Sequence, residues 1–304
     1  MNNSKTNGIG TSNNTCNTKQ KPKPKVWITL ITKENDYIIG AKVLAFSLLR
    51  VESKYPLMIL HTKAVTKKTL DEFLQLRCQL RQVELLEPPK GVTQELVNGY
   101  SETWTKLRAW ELIEFERVVF LDADMLVVRN MDELLDDEEL IKDENWVPES
   151  CVYTPKTESS SNPTIIHFED YFNSGMLVLK PNDKIFACML KKLYNHPNPD
   201  ALIFPDQDFL NEFFNSHWVR LPYIYNALKT LRNCHSYMWH DDQVKNVHYI
   251  LDKPWRITDR DSAEIKTNEL NLRWFKCFDE MKKYEESHSH NNIDLSQRKI
   301  VQEL

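Results

Sequence analysis

Apolar and polar positions along the first half of the chain alternate between two periods. Val26–Ile31, Leu57–His61 and Arg117–Leu121 are short, nearly continuous apolar runs, the pattern of strands covered on both faces of a parallel sheet. Between them, Ile38–Leu49 and Lys67–Arg77 repeat their apolar residues at helical spacing, which predicts helices. A third strand is predicted at Val83–Leu86, a further helix at Trp104–Phe115 and a short strand-like run at Val247–Ile250. Strand, helix, strand in repetition predicts an α/β fold whose mainly parallel sheet is flanked by helices. Open sheets of this kind bind ligands at the carboxyl ends of their strands, so the residues just after Ile31 and Leu121 are where chemistry is expected.

The ends of the chain break this pattern. Residues 1–25 are rich in Asn, Thr and Lys and finish in Lys-Pro-Lys-Pro-Lys, with too little apolar surface to offset the entropy of ordering. They are expected to form a disordered leader, residues 26–286 one domain, and residues 287–304 a polar tail. In that tail His288 and His290 are read as solvated, and Ile300, Val301 and Leu304 as a short helical end. With 304 residues, 41% of them hydrophobic, and only 6 Gly, the chain can bury a sizeable core. No stretch approaches the roughly 18 consecutive apolar residues of a membrane span, and the N-terminus lacks the apolar block of a signal peptide. The 6 cysteines form no Cys-x-x-Cys pair, which fits reduced thiols in the cytoplasm better than disulfides or a zinc site.

Charge adds a constraint on ligands. Lys5, Lys19, Lys21, Lys23 and Lys25 have no acidic neighbours, so the formal net charge of −5 becomes −10 for the rest of the chain. An acidic body excludes a nucleic-acid surface, which calls for clustered Lys and Arg. A phosphate ligand would instead be held through a bridging metal ion. Glycine-rich fingerprints for dinucleotides or for a P-loop are absent.

Asp122-Ala123-Asp124 follows the apolar run ending at Leu121, and on extended backbone the period of two puts both carboxylates on one side, able to converge on a hard cation. Asp206/Asp208 and Asp259/Asp261 share the spacing, but only the first pair ends a buried strand. His248 offers an imidazole, which with two carboxylates suits Mn²⁺ better than Mg²⁺, and Lys253 an ammonium for a phosphate oxygen.

Over residues 26–256 the motifs resemble, in order, the retaining glycosyltransferases of family 8, the glycogenin-like enzymes. Thr29-Leu30-Ile31-Thr32 with Tyr37 and Gly40-Ala41-Lys42 is similar to the first strand and nucleotide-binding turn, with the aromatic ring against uracil. Thr105–Trp110 resembles the segment whose lysine, here Lys106, contacts the donor. Phe120–Leu126 resembles the metal motif, Phe172-Asn173-Ser174-Gly175-Met176 the turn around the donor hexose, and Asp206-Gln207 the pair near the anomeric carbon. His248 and Lys253-Pro254-Trp255 resemble the closing motif.

The resemblance implies a GT-A fold, a nucleotide-diphospho-sugar-binding sheet and Asp122, Asp124 and His248 as Mn²⁺ ligands, with Mg²⁺ as the substitute. It implies UDP-sugar contacts from Leu30, Thr32, Tyr37, Lys106, Asp122, Ala123, Asp124, Asn173, Ser174, Gly175, Asp206, Gln207, His248 and Lys253. By the same resemblance Asp206, Gln207 and Lys253 are the residues expected to carry catalysis, and a homodimer is a possible assembly because glycogenin-like proteins commonly pair. UDP-glucose is the expected donor, and the acceptor a protein, this chain included, or a glucan. The alternatives are UDP-galactose-dependent transfer to a polyol such as myo-inositol, and a catalytically silent UDP-sugar-binding scaffold. Some segments depart from glycogenin. Ile203-Phe204-Pro205 precede Asp206 where glycogenin has Asp-Gly-Gly, and Leu251 replaces a glycine after the histidine. The glucosylated tyrosine falls near Asn233, with Tyr237 out of register, whereas Arg129–Leu134, Trp146–Glu149 and Tyr225–Lys229 look most like fungal and other lower-eukaryote members.

Overall fold

The structure, a computed structural model, describes residues 22–90, 92, 102–137, 171–215, 217–261 and 268–289. Most of the expected leader, the tail beyond 289, Cys16, Cys151 and the Trp146–Glu149 stretch lie outside these residues. In chain order the first elements are β1 (Lys25–Ile31), α1 (Tyr37–Arg50), β2 (Leu57–His61), α2 (Lys67–Gln75) and β3 (Gln79–Gln82). A 3-10 helix (Thr103–Glu111), β4 (Arg117–Leu121), β5 (Met125–Val127), α3 (Glu133–Asp136) and β6 (Met176–Leu179) follow. After them come α4 (Asp183–Tyr194), α5 (Pro205–Phe214), β7 (Ala227–Leu228), α6 (Leu231–Cys234), β8 (Asn246–His248) and α7 (Glu269–Ser289).

Five strands form the main sheet in the order β3-β2-β1-β4-β6; the first four run parallel and β6 is antiparallel to β4. A smaller sheet has the order β5-β8-β7. The two-residue period of the strands divides their side chains between two cores. Trp27, Ile31, Leu57, Ile59, Val119 and Leu121 point to one face, against α1, the smaller sheet and Trp274, Phe275 and Met281 of α7. Val26, Ile28, Met58, Leu60, Val118 and Phe120 point to the other, against Trp104, Trp110, Phe186 and Phe209. This two-sided burial is why the strands read as continuous apolar runs.

Three elements differ from the sequence reading. The third strand is Gln79–Gln82 and not Val83–Leu86, because this edge strand is only half-buried and has no apolar run to reveal it. Val83 donates to the His61 carbonyl at the end of the pairing, and Leu86 packs into the second core from a loop. In place of the predicted helix Trp104–Phe115 there is a 3-10 helix over Thr103–Glu111, with Leu112 and Phe115 reaching the same core beyond it. Helix α7, Glu269–Ser289, has no counterpart among the elements predicted from the sequence. The described cysteines Cys78, Cys188, Cys234 and Cys277 are free thiols. Among the described residues no helix is long and apolar enough to cross a membrane.

Candidate active site

The strand pairings bring the separated motifs together. Leu121 pairs with Met176 across β4 and β6, which sets Asp122 beside Gly175; the Asp122 N–H donates to the Gly175 carbonyl at 2.8 Å. Met125 pairs with His248 across β5 and β8, and the Tyr249 N–H donates to the Asp124 carbonyl at 2.9 Å. The single turn between β4 and β5, closed by the Met125 N–H donating to the Asp122 carbonyl at 3.2 Å, thus presents Asp122 to one sheet and Asp124 to the other, at the carboxyl end of the parallel strands.

One atom each from Asp122, Asp124 and His248 lies within 4.8 Å of the other two. His248 Nε2 stands 3.2 Å from Asp124 Oδ1 and 3.9 Å from Asp122 Oδ2. Two carboxylate oxygens and an imidazole nitrogen could together hold a divalent metal ion. Burial pushes the Asp124 carboxyl up, but His248 and Lys253 outweigh it and hold it well below the usual carboxylate range. Burial pushes the Asp122 carboxyl up, Lys106 only partly offsets this, and the neighbouring Asp124 adds to the rise.

Two lysines bracket the triad. Lys253 Nζ is ion-paired with Asp124 and donates to the Tyr249 carbonyl at 2.8 Å. Lys106 Nζ is 3.1 Å from Asp122 Oδ1 and 2.7 Å from Asp206 Oδ2, and donates to the Ser174 carbonyl at 3.2 Å. Burial alone would make that ammonium easier to deprotonate, but Asp122 and Asp206 raise it above its ordinary value, so Lys106 stays charged. Ser174 Oγ also donates to Asp206 Oδ2, at 2.8 Å.

Gln207, in the first turn of α5, accepts at Oε1 from Asn173 Nδ2 (2.9 Å) and from the Ser174 N–H (3.1 Å). Tyr37 opens α1, meets Trp255 edge-on at 5.5 Å and lies 5.6 Å from Lys253 Nζ. Gly40, one turn later, lets the helix approach the metal-motif loop: a Cβ there would lie 2.6 Å from the Ala123 carbonyl oxygen. Leu30 and Thr32 sit apart on the β1 side, Leu30 packed on the second core and Thr32 bonded to Glu102.

Asn226 and Tyr171 belong to this constellation and escaped sequence reasoning. Asn226 Oδ1 is 2.9 Å from His248 Nδ1, and Gln207 Nε2 donates to the Tyr171 hydroxyl at 2.9 Å. Neither residue lies in a periodic segment. Tyr225-Asn226 is a recognisable pair, but its partner is set by the pairing of β7 with β8.

The sequence pattern described as Glycosyl transferase family 8 matches residues 28–259. Galactinol synthase 1 of Arabidopsis thaliana is 28% identical over 282 residues, covering 84% of this chain and 79% of its own length. Galactinol synthase 1 of Solanum lycopersicum is 29% identical over 269 residues, covering 84% and 81%. The apo-form glycosyltransferase GlyE of Streptococcus pneumoniae TIGR4 superposes with a TM-score of 0.56 at 16% identity, over 88% of this chain and 64% of that one. The WbbM bifunctional glycosyltransferase superposes with a TM-score of 0.56 at 18% identity, over 86% of this chain and 52% of that one. This chain therefore spans about half to under two thirds of those two solved chains. With the nucleotide-sugar sheet, the motif order and the pattern match in agreement, the chain belongs to glycosyl transferase family 8 and has the GT-A fold.

Proposed function

We propose that this chain transfers galactose from UDP-galactose to a small polyol such as myo-inositol. The observation that carries this reading is the likeness to galactinol synthases, which extends over 84% of this chain and about four fifths of theirs. UDP-glucose as donor, with a protein or glucan acceptor, is the second reading; it rests on the motifs shared with glycogenin.

Asp122, Asp124 and His248 would hold the cation, Mn²⁺ by the nature of the donor set, with Mg²⁺ as the substitute. When bound, the cation supplies charge neutralisation at the diphosphate of the leaving UDP. The chain's own residues do the rest. Lys253 offers a second positive charge to the diphosphate by releasing Asp124. Tyr37 and Trp255 present an aromatic corner for the uracil ring. Gln207 and Asn173 face the sugar side, where Gly175 keeps the backbone close. Asp206 Oδ2 is engaged by both Lys106 and Ser174, which suits an anchor that holds Lys106 in place better than an attacking nucleophile.

The test is to incubate the pure chain and Mn²⁺ with UDP-galactose or UDP-glucose, each with myo-inositol, with a glucan or with no acceptor. Released UDP, the mass of small-molecule products and the intact-protein mass are recorded together. A galactosyl-inositol product, with UDP release stimulated by myo-inositol, is the expected result. Hexose steps on the protein from UDP-glucose alone, with no inositol product, would overturn it.

A further inference from the structure

The backbone around the Asn-Ser-Gly turn decides which nitrogen of His248 carries its proton. An N–H can only donate, so the Asn173 atom 3.0 Å from the Gly175 N–H is its oxygen, and the Gln207 atom 3.1 Å from the Ser174 N–H is likewise an oxygen. The Asn173 oxygen lies 2.9 Å from the amide of Asn226, and two oxygens cannot bond, so Asn226 turns its NH₂ group towards Asn173. The remaining atom of Asn226, its oxygen, is 2.9 Å from His248 Nδ1. That contact is a hydrogen bond only if Nδ1 bears the hydrogen. Nε2, on the far side of the ring, faces Asp124 and Asp122, 3.2 and 3.9 Å away, and in the neutral ring that a cation requires it presents its lone pair to them.

Either a proton or a cation must stand between that lone pair and the carboxylates, and a cation in the proton's place makes three convergent donors of the arrangement. The ring is also held in place along its Cε1–Nδ1 edge. Gly175 lies so close that a Cβ would stand 2.4 Å from His248 Cε1. The imidazole is therefore clamped in position by Gly175 and in tautomer by Asn226.

We propose that Asn226 is a positioning residue that makes His248 Nε2 a cation ligand, its own orientation being dictated through Asn173 by the Ser174 and Gly175 backbone amides. The inference rests on the metal-binding part of the proposed function and is independent of which sugar is transferred. The same bonds continue to the sugar side: Asn173 Nδ2 donates to Gln207, Gln207 donates to Tyr171, and the Tyr171 hydroxyl donates to Asp208. Every donor in this series points the same way. A flip of Asn226 would break two bonds and a flip of Asn173 or Gln207 three, which is why one orientation of Asn226 is selected.

The test uses Mn²⁺ alone with the full chain, without donor sugar. Binding is read from the spin resonance of free Mn²⁺, and ligation by histidine from the ¹⁴N modulation of the bound ion. Asn226→Leu removes the acceptor and should weaken Mn²⁺ binding by roughly 10- to 100-fold with loss of the histidine nitrogen coupling. Asn226→Asp keeps an acceptor for Nδ1–H while losing the bond to the Asn173 oxygen, so it should retain the nitrogen coupling with an affinity well above that of Asn226→Leu, a rescue that a role in packing alone would not produce. Wild-type affinity and coupling in Asn226→Leu would overturn the proposal, as would loss of both in a folded Asn226→Asp. Should Asn226→Leu not fold, the Asn226→Asp result decides. Asp124→Asn separates this proposal from the reading beneath it. If it leaves Mn²⁺ binding intact, the metal site itself is wrong; if it weakens binding while Asn226→Leu does not, only the role of Asn226 fails.

Discussion

Leu251 holds its backbone in the left-handed region, φ 60, with a side chain 71% exposed, between His248 and Lys253. A residue with a Cβ is strained there, and little burial offsets the strain. Leu251→Gly is expected to raise stability by about 1 kcal/mol, the backbone gain exceeding the added freedom of the unfolded glycine, as a shift of the urea midpoint would report. Asp124 behaves oppositely, because its carboxylate serves His248 and Lys253 at once. Asp124→Asn should lower Mn²⁺-dependent UDP release by more than about 100-fold while circular dichroism stays that of the native fold. Asp122 and Asp124 were legible in the sequence because they end a buried strand. Asn226 was not, because an asparagine in an irregular segment has no periodicity, and what it touches depends on strands brought together from distant parts of the chain.

At the scale of elements, the buried strands announced themselves and the half-buried ones did not. β1, β2 and β4 face a core on each side and were found at their places, whereas β3 at the edge carries Gln79, Leu80, Arg81 and Gln82, whose alternation is faint. In the sequence the 3-10 segment has the pattern of a longer helix because Leu112 and Phe115 continue the apolar spacing after the hydrogen-bonded turns have ended. Helix α1 meets the metal-motif loop through Gly40, where a Cβ would also stand 2.7 Å from the Trp255 ring. Gly40→Ala should therefore cost about 1–3 kcal/mol and raise the KM for the nucleotide sugar, measured by thermal melting and by donor titration.

The whole molecule is closed by α7, which lays Trp274, Phe275 and Met281 on the first core and brings Glu285 to 2.6 Å from Lys42 of α1. Lys42 also meets Glu72 of α2 at 3.1 Å, so three helices share one buried ammonium. Burial would raise the Glu285 carboxyl, but Lys282 and Lys42 hold it below its ordinary value of 4.5. Its stabilisation is then complete above that value and lost as pH falls through the lower, folded one. Lys42→Met should lower stability at neutral pH by about 1–3 kcal/mol and flatten the decline below pH about 4.5, as denaturant melts across pH would reveal. The position of the Asp-Asp-His triad has a consequence at this scale. Asp122 leaves the larger sheet, whereas Asp124 and His248 belong with the smaller one, so an ion held by all three is a staple across the seam between them. Unfolding must then expel that ion, and the melting temperature should climb with the logarithm of free Mn²⁺, by about 2.7 kcal/mol of stability at a hundredfold excess over its dissociation constant.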